Sequence, residues 1–120
     1  MQIYLIKQIQ VVNEGTTTVA DVLLKDGRIE KIAPQISAGE EKVTIINGEG
    51  KYLLPGVIDD QVHFREPGLT HKANIYTESK AAVAGGVTSF MEMPNTAPPA
   101  YTLELLEQKY SIAQQTSLAN

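Results

Sequence analysis

The sequence has no cysteine and only two histidines among its 120 residues. Without cysteine, neither a disulfide framework nor a metal site built on thiolates is possible. A metal ion would have to be held by imidazole, carboxylate or amide groups. This restriction makes His63 and His71 the first residues to consider as metal ligands.

Positive charge is also scarce, since 10 lysines and arginines stand against 14 aspartates and glutamates and the formal net charge is −4. Nucleic-acid binding through attraction to phosphates is therefore disfavoured. No apolar run is long enough for a membrane-spanning helix, and the opening residues, MQIYLIK, lack the basic and apolar segments of a signal peptide. We expect a cytoplasmic protein whose partners include neither nucleic acid nor a membrane.

The first part of the chain is rich in β-branched side chains and turn formers. Residues 3–12, IYLIKQIQVV, predict a strand that ends at the turn-forming residues 13–15. Between two strand-like runs, residues 25–28 (KDGR) predict a tight hairpin, because Asp-Gly readily adopts positive φ angles. Residues 42–46 predict another strand. We therefore expect residues 1–51 to form a small β-rich domain, a β-sheet or β-sandwich unit.

The rest of the chain alternates strand-like and helix-like segments. Residues 52–58 (YLLPGVI) are almost continuously apolar, which is typical of a strand covered on both faces in a parallel sheet. Residues 75–84 predict a helix that ends at Gly85-Gly86, and residues 87–93 predict a second buried strand. An unpaired carboxylate is costly in such a strand, so Glu92 should either be paired or lie at the strand's mouth.

A second helix is predicted over residues 102–115, with Thr102 as a suitable N-cap. Its expected packing face consists of four side chains at helical spacing, namely Leu103, Leu106, Tyr110 and Ala113. The order strand, helix, strand, helix predicts right-handed crossovers and a parallel sheet. We therefore expect residues 52–120 to adopt an α/β fold.

Polar residues follow the first of these strands, in PGVIDDQVHFREPG at residues 55–68. Because residues two apart on a strand share a face, Asp59, Gln61 and His63 should point one way and Asp60 the other. At the carboxyl ends of barrel strands such groups are tolerated, because a ligand or metal satisfies them. Polar side chains at this end of the strand therefore indicate a site that a ligand or a metal completes.

This motif resembles the signature of the amidohydrolase superfamily, in which the first barrel strand ends in Asp-x-His-x-His. The following Arg-Glu-Pro-Gly at residues 65–68 resembles dihydroorotases in particular. Residues 93–96 (MPNT) and 85–88 (GGVT) also resemble segments of that family, so the likeness extends over the whole chain. It implies a small β unit followed by the first two βα units of a TIM-type (β/α)8 barrel. Since such a barrel takes about 250 residues, we expect a truncated amino-terminal piece.

The resemblance also implies roles for individual residues. It makes His63 a zinc ligand, and it makes Arg65 and Asn95 the residues that bind the substrate carboxylate. The implied reaction is the reversible hydrolysis of the cyclic amide of dihydroorotate, a small molecule, to N-carbamoyl-aspartate in pyrimidine biosynthesis. The family's remaining metal ligands and its catalytic acid/base lie on later strands. We therefore expect no catalytic residue and little activity in this piece alone, and a homo-oligomer for the full-length protein.

One departure from the family pattern concerns the metal. Gln61 occupies the position of the first family histidine, and a neutral amide oxygen is a weaker zinc ligand than imidazole. Either a second metal held by later residues still works, or the protein is a non-catalytic scaffold subunit for an enzyme such as aspartate transcarbamoylase. Allantoinase and hydantoinase activities are further alternatives, although Arg65 argues against them.

The other polar residues near the motif have simpler interpretations. His71 lies in a polar loop, where a solvated side chain is expected. Asp60 should point outward. Asp59 is equally well interpreted as a metal ligand and as a structural hydrogen-bond acceptor at the strand end.

Overall fold

The computed structural model describes residues 2–39 and 42–120, which fold as two units that divide between Pro55 and Gly56. In the first unit the described residues form strands and no helix, whereas the second unit alternates strands and helices. The assignment of residues 1–51 and 52–120 to separate domains stays a prediction.

The first unit is a five-stranded mixed sheet. β1 (Ile3–Asn13), β2 (Thr16–Lys25) and β3 (Arg28–Ala33) follow one another as antiparallel neighbours. β4 (Thr44–Asn47) and β5 (Tyr52–Leu53) both pair with β1 in parallel. The predicted β-rich character is confirmed. A sandwich needs a second, facing layer, and the described residues of this unit supply one sheet, so that part stays a prediction.

The β2–β3 hairpin turns where the sequence predicts. Lys25 pairs with Arg28, so only Asp26 and Gly27 lie in the loop. Both loop residues have positive φ angles, 48° for Asp26 and 78° for Gly27. A type I′ turn requires this combination, which matches the right-handed twist of the flanking strands. The predicted hairpin is confirmed.

A buried carboxylate, Asp21, holds an irregular part of β1 in place. The pairing of β1 with β2 shifts register between Ile6 and Ile9, and Gln8 within the bulge has a φ of 55°. Asp21 is fully buried and accepts hydrogen bonds from the backbone N–H groups of Gln8 (2.9 Å) and Ile36 (2.8 Å). It also forms an ion pair with Lys7. The pKa of Asp21 lies well below its usual range. The hydrogen bond from the Lys7 ammonium is the largest cause, and the hydrogen bond from the backbone N–H of Ile36 is the second largest.

Replacing Asp21 by asparagine is expected to lower the melting temperature at neutral pH and to weaken its dependence on acid. Because the folded-state pKa of Asp21 is depressed, its stabilisation is complete above the unfolded-state pKa of about 3.9 and is lost as the pH falls below that value. Thermal unfolding followed by circular dichroism at pH 7 and pH 3 measures this. Glu30→Gln, which removes an exposed carboxylate from β3, is the matched control. Equal acid sensitivity in Asp21→Asn and the parent chain would contradict the assignment.

The second unit consists of two strand–helix pairs. β6 (Val57–Val62) precedes α1 (Ile75–Ala84), and β7 (Val87–Glu92) precedes α2 (Leu103–Thr116). β6 and β7 are parallel neighbours, so the predicted alternation and the parallel pairing are confirmed. The buried core consists of Val62, Phe64 and Ile75, with Ala82, Phe90, Ile112 and Ala113 packed against it.

Residues 52–58 do not form one buried strand, and that prediction is wrong. Tyr52 and Leu53 pair with β1 in the first unit, and β6 begins only at Val57. Pro55 lacks the N–H group that a ladder needs, which favours a break between the two strands. Nor is the β6–β7 sheet covered on both faces by the described residues, because Ile58 is 66% exposed.

The packing face predicted for α2 is wrong for three of its four residues. Leu103, Leu106 and Tyr110 are exposed, and the only buried residue of this helix is Lys109. The fourth residue, Ala113, packs against the core as predicted, together with Ile112. Leu106, Tyr110 and Ala113 line a cavity of about 630 Å³ beside β7. The helix therefore has two apolar stripes, and the stripe with Leu103, Leu106 and Tyr110 does not face the core.

Candidate functional site

The segments that follow β6 and β7 leave the sheet side by side. The two strands are parallel, so their carboxyl ends meet at one edge of the sheet. The N–H group of Met93, just after β7, donates to the carbonyl oxygen of Val62 at the end of β6 (3.0 Å). The chain then continues into His63 on one side and towards Asn95 on the other. The predicted site residues thus start from neighbouring positions.

His63 and Asn95 are in direct contact. Nδ1 of His63 lies 3.0 Å from Oδ1 of Asn95, and both residues are exposed. With the amide oxygen towards the ring, the imidazole donates through Nδ1–H and keeps a lone pair on Nε2. Metal-binding histidines commonly donate their other ring N–H to an oxygen in this way, which fixes the ring orientation. The contact therefore leaves Nε2 of His63 suited to bind a metal.

Asp59 and Gln61 lie within β6 rather than after it. The register between β6 and β7 shifts between Asp59 and Val62, which interrupts the alternation that predicted one common face. Oδ1 of Asp59 accepts a hydrogen bond from the backbone N–H of Gln61 (3.1 Å). Asp59 thus makes a structural hydrogen bond at the irregularity, and its role as a metal ligand stays a prediction. The Gln61 side chain is exposed, like that of His63.

Arg65 lies two residues after His63 and is half-buried. Its φ of 69° is in the left-handed region, and its carbonyl oxygen accepts a hydrogen bond from Leu69 N–H (3.1 Å) in a tight turn. In the part of the chain that the structure describes, its guanidinium has no carboxylate partner. Arg65 contacts neither His63 nor Asn95 through a hydrogen bond, so the structure brings together only two of the three residues.

The two loops are held together by contacts that the sequence did not predict. The N–H group of Ala97 donates to the carbonyl oxygen of Pro67 (3.1 Å). Gly68 passes so close that a Cβ atom would lie 1.8 Å from the Ala97 carbonyl oxygen. Oε2 of Glu66 accepts a hydrogen bond from Ile75 N–H (2.8 Å) at the start of α1. Glu66 and Gly68 of the Arg-Glu-Pro-Gly motif therefore have structural roles.

Below the loops, Glu92 forms a buried ion pair with Lys109 of α2. The other carboxylate oxygen of Glu92 accepts a hydrogen bond from Phe64 N–H (3.1 Å), and Lys109 also donates to the Met93 carbonyl oxygen (2.7 Å). Burial lowers the pKa of Lys109. The prediction that Glu92 is paired or lies at the strand's mouth is confirmed. Its partner Lys109 was missed, because a lysine on a helix normally signals a solvated face.

Comparison of the chain with known proteins identifies its family. The family model described as dihydro-orotase-like matches residues 50–120, which include both loops. The chain belongs to the dihydroorotase-like family. The resemblance of residues 55–68 and 93–96 to dihydroorotases is thereby confirmed.

Relatives of this dihydroorotase-like chain are much longer. It is 49% identical over 88 residues to a dihydroorotase of Carboxydothermus hydrogenoformans, which covers 73% of this chain and 20% of the relative. It is 42% identical over 118 residues to a dihydroorotase of Bacillus cytotoxicus, covering 98% of this chain and 27% of the relative. Among solved structures, an L-hydantoinase (dihydropyrimidinase) from Arthrobacter aurescens matches all of this chain and 27% of its own, with a TM-score of 0.91 and 32% identity.

The described residues of the dihydroorotase-like chain do not form a complete metal donor set. In residues 2–39 and 42–120, no three His, Asp or Glu side chains come close enough together to hold a metal ion. His63 fits a metal through Nε2, because its Nδ1 faces Asn95, and Asp59 keeps its second oxygen, because only Oδ1 accepts from Gln61 N–H. His71 and Asp60 are exposed, in keeping with their predicted solvated and outward positions. Neither described helix is long and apolar enough to cross a membrane.

Proposed function

We propose that this chain forms the amino-terminal part of a dihydroorotase, in which residues from Val57 onward provide the first two βα units of a (β/α)8 barrel. The activity would be the reversible hydrolysis of the cyclic amide of dihydroorotate to N-carbamoyl-aspartate. One observation carries the proposal: His63 and Asn95 meet at the carboxyl ends of two parallel strands. Active sites of such barrels are built at that end.

Arg65 and Asn95 are proposed to bind the substrate carboxylate. A guanidinium fork matches a carboxylate in two parallel hydrogen bonds, and Arg65 has no carboxylate partner in the described residues. Asn95 can serve two groups at once, because its Oδ1 faces His63 while its Nδ2 can donate to the substrate. The same amide would thus orient the imidazole and position the substrate.

His63 is proposed to hold zinc through Nε2, with Gln61 as a weaker oxygen ligand and Asp59 as a supporting residue. Zinc, when bound, polarises the amide carbonyl and lowers the pKa of a bound water. The remaining ligands would come from the three quarters of the relatives that this chain does not match. Residues of this chain therefore bind and orient, and the proton-transfer group lies elsewhere.

A chimera tests the proposal. Residues 1–120 replace the matching first part of the Bacillus cytotoxicus relative, to which they are 42% identical. With zinc supplied, we expect the chimera to form N-carbamoyl-aspartate from dihydroorotate, measured colorimetrically, and we expect the 120-residue chain alone to show little turnover. A folded, zinc-loaded chimera without dihydroorotate hydrolysis would contradict the proposed activity.

A hydantoinase-type activity is a second candidate, favoured by the close backbone match to an L-hydantoinase. The two candidates differ in whether the substrate carries a ring carboxylate for Arg65 to bind. Kinetics of the chimera with dihydroorotate, hydantoin and allantoin distinguish them. Arg65→Met should reduce kcat/KM for dihydroorotate by about 10²-fold or more, since a charge-assisted bidentate contact is lost. A higher kcat/KM for hydantoin than for dihydroorotate would favour the second candidate.

Replacing Gln61 by histidine in the chimera is expected to raise zinc affinity by about tenfold or more, because imidazole is a better zinc ligand than a neutral amide. Competition titration with a chromogenic chelator measures the change. Gln115→His, on the exposed side of α2, is the matched control for adding a histidine. If neither the parent chimera nor Gln61→His binds zinc, the non-catalytic scaffold becomes the better interpretation.

A further inference from the structure

We propose that the buried Glu92–Lys109 pair is a positioning device that sets the distance between His63 and Asn95. This inference rests on the proposed function for its significance, but its geometry does not depend on which substrate is bound. Neither residue reaches the reacting groups as a ligand would. Each one instead binds the backbone of a loop that carries a site residue.

The pair connects the two loops through a short series of hydrogen bonds. Oε1 of Glu92 accepts from the N–H of Phe64, which directly follows His63 (3.1 Å). The Lys109 ammonium pairs with the other oxygen of Glu92 and donates to the carbonyl of Met93, two residues before Asn95 (2.7 Å). A shift of either side chain would therefore move one loop relative to the other.

Burial makes this arrangement rigid rather than incidental. The side chains of Lys109 and Glu92 are only 8% and 9% exposed. Removing one partner would leave an uncompensated buried charge, whereas replacing both by apolar groups of similar size is often neutral for stability. An apolar pair can fill the same space, but it cannot accept from Phe64 N–H or donate to the Met93 carbonyl. The double replacement therefore separates positioning from packing.

The test uses nuclear magnetic resonance of the whole 120-residue chain with nitrogen-15 labelling. At alkaline pH the nitrogen-15 shifts of the ring report which nitrogen of His63 carries the proton. In the parent chain we expect the Nδ1–H tautomer to predominate, because Asn95 Oδ1 accepts from Nδ1. Asn95→Ala gives the ratio without that contact. Glu92→Met combined with Lys109→Met is expected to move the ratio to the Asn95→Ala value.

The control is Ile112→Val, which removes one methylene from the same helix and the same core and leaves both tethers intact. It should reduce the melting temperature without changing the His63 tautomer ratio. An unchanged ratio in the doubly apolar variant would overturn the proposal, and so would an equal change in Ile112→Val.

If the doubly apolar variant does not fold cooperatively, the variant with Glu92→Gln and Lys109→Met is used in its place. It retains an acceptor for Phe64 N–H and loses only the Met93 tether, so a partial change supports positioning and no change overturns it.

Because this readout needs neither zinc nor turnover, its failure is distinct from failure of the proposed function. An inactive chimera with a tether-dependent tautomer ratio would refute the dihydroorotase proposal alone. An active chimera with a tether-independent ratio would refute the positioning role alone.

Discussion

Replacing Gly68 by alanine is expected to destabilise the second unit by about 3 kcal/mol or more and to separate the loops that carry His63 and Asn95. Gly68 has a φ of 83°, and a Cβ atom would lie 1.8 Å from the carbonyl oxygen of Ala97. That oxygen belongs to the backbone, so no side-chain rotation can relieve the overlap. The neighbouring hydrogen bond from Ala97 N–H to the Pro67 carbonyl would be lost as well. Urea unfolding followed by circular dichroism measures the loss of stability.

Gly86→Ala is the matched control, because it has the same backbone requirement without the close contact. Gly86 lies in the same unit and has a φ of 93°, but nothing lies within 4 Å of the position of its Cβ atom. We expect this variant to lose only the conformational part, about 1–2 kcal/mol. Equal losses in the two variants would show that the loop contact contributes nothing.

Local chemistry was sufficient to predict several elements. Asp26-Gly27 specifies its turn because two successive positive φ angles are needed there and few residue pairs allow them. The limits of α1 follow in the same way, since Gly86 supplies the left-handed residue that ends the helix. The motifs at residues 55–68 and 93–96 led to the family because they are specific in combination.

Other features depend on contacts between distant parts of the chain, and the sequence pattern does not predict them. Tyr52 and Leu53 belong to the first unit only because β1 offers them a parallel edge, and nothing in YLLPGVI indicates that partner. Asp21 is fully buried because an irregular stretch of β1, 13 residues earlier in the chain at Gln8, needs an acceptor. Pattern analysis assigns such carboxylates to the surface.

The same limit applies to the candidate site. Three of the four residues predicted for the packing face of α2 are exposed, because two apolar stripes fit helical spacing and the ion pair of Lys109 with Glu92 turns the other stripe towards the core. The alternation along β6 was disturbed by a register shift that only the pairing with β7 reveals. The resemblance to dihydroorotases nevertheless named both His63 and Asn95 as site residues, and parallel strands that follow one another through a helix bring their carboxyl ends together.

Replacing His63 by alanine in the chimera is expected to remove zinc binding and to lower kcat/KM for dihydroorotate by more than about 10²-fold. An effect of this size is expected because loss of a hydrogen-bond partner to a metal-binding histidine already costs about 10–100-fold in metal affinity or activity. His63 is the only imidazole at the ends of β6 and β7 among the described residues, so no other histidine in these two loops can replace it. Zinc content by atomic emission and initial rates with dihydroorotate measure the two effects separately.

His71→Ala is the control for this prediction, since His71 is the other histidine of the chain and is exposed. It should retain the zinc content and rate of the parent chimera.

Asn95→Asp adds a further test of the contact between Nδ1 of His63 and Oδ1 of Asn95, which are 3.0 Å apart. A carboxylate at this position still accepts from Nδ1–H but repels the substrate carboxylate. We expect Asn95→Asp to keep zinc and to raise KM sharply. Zinc loss in Asn95→Asp with an unchanged KM would mean that Asn95 orients the imidazole and does not bind the substrate. Retention of zinc and turnover in His63→Ala would show that His63 is not a metal ligand.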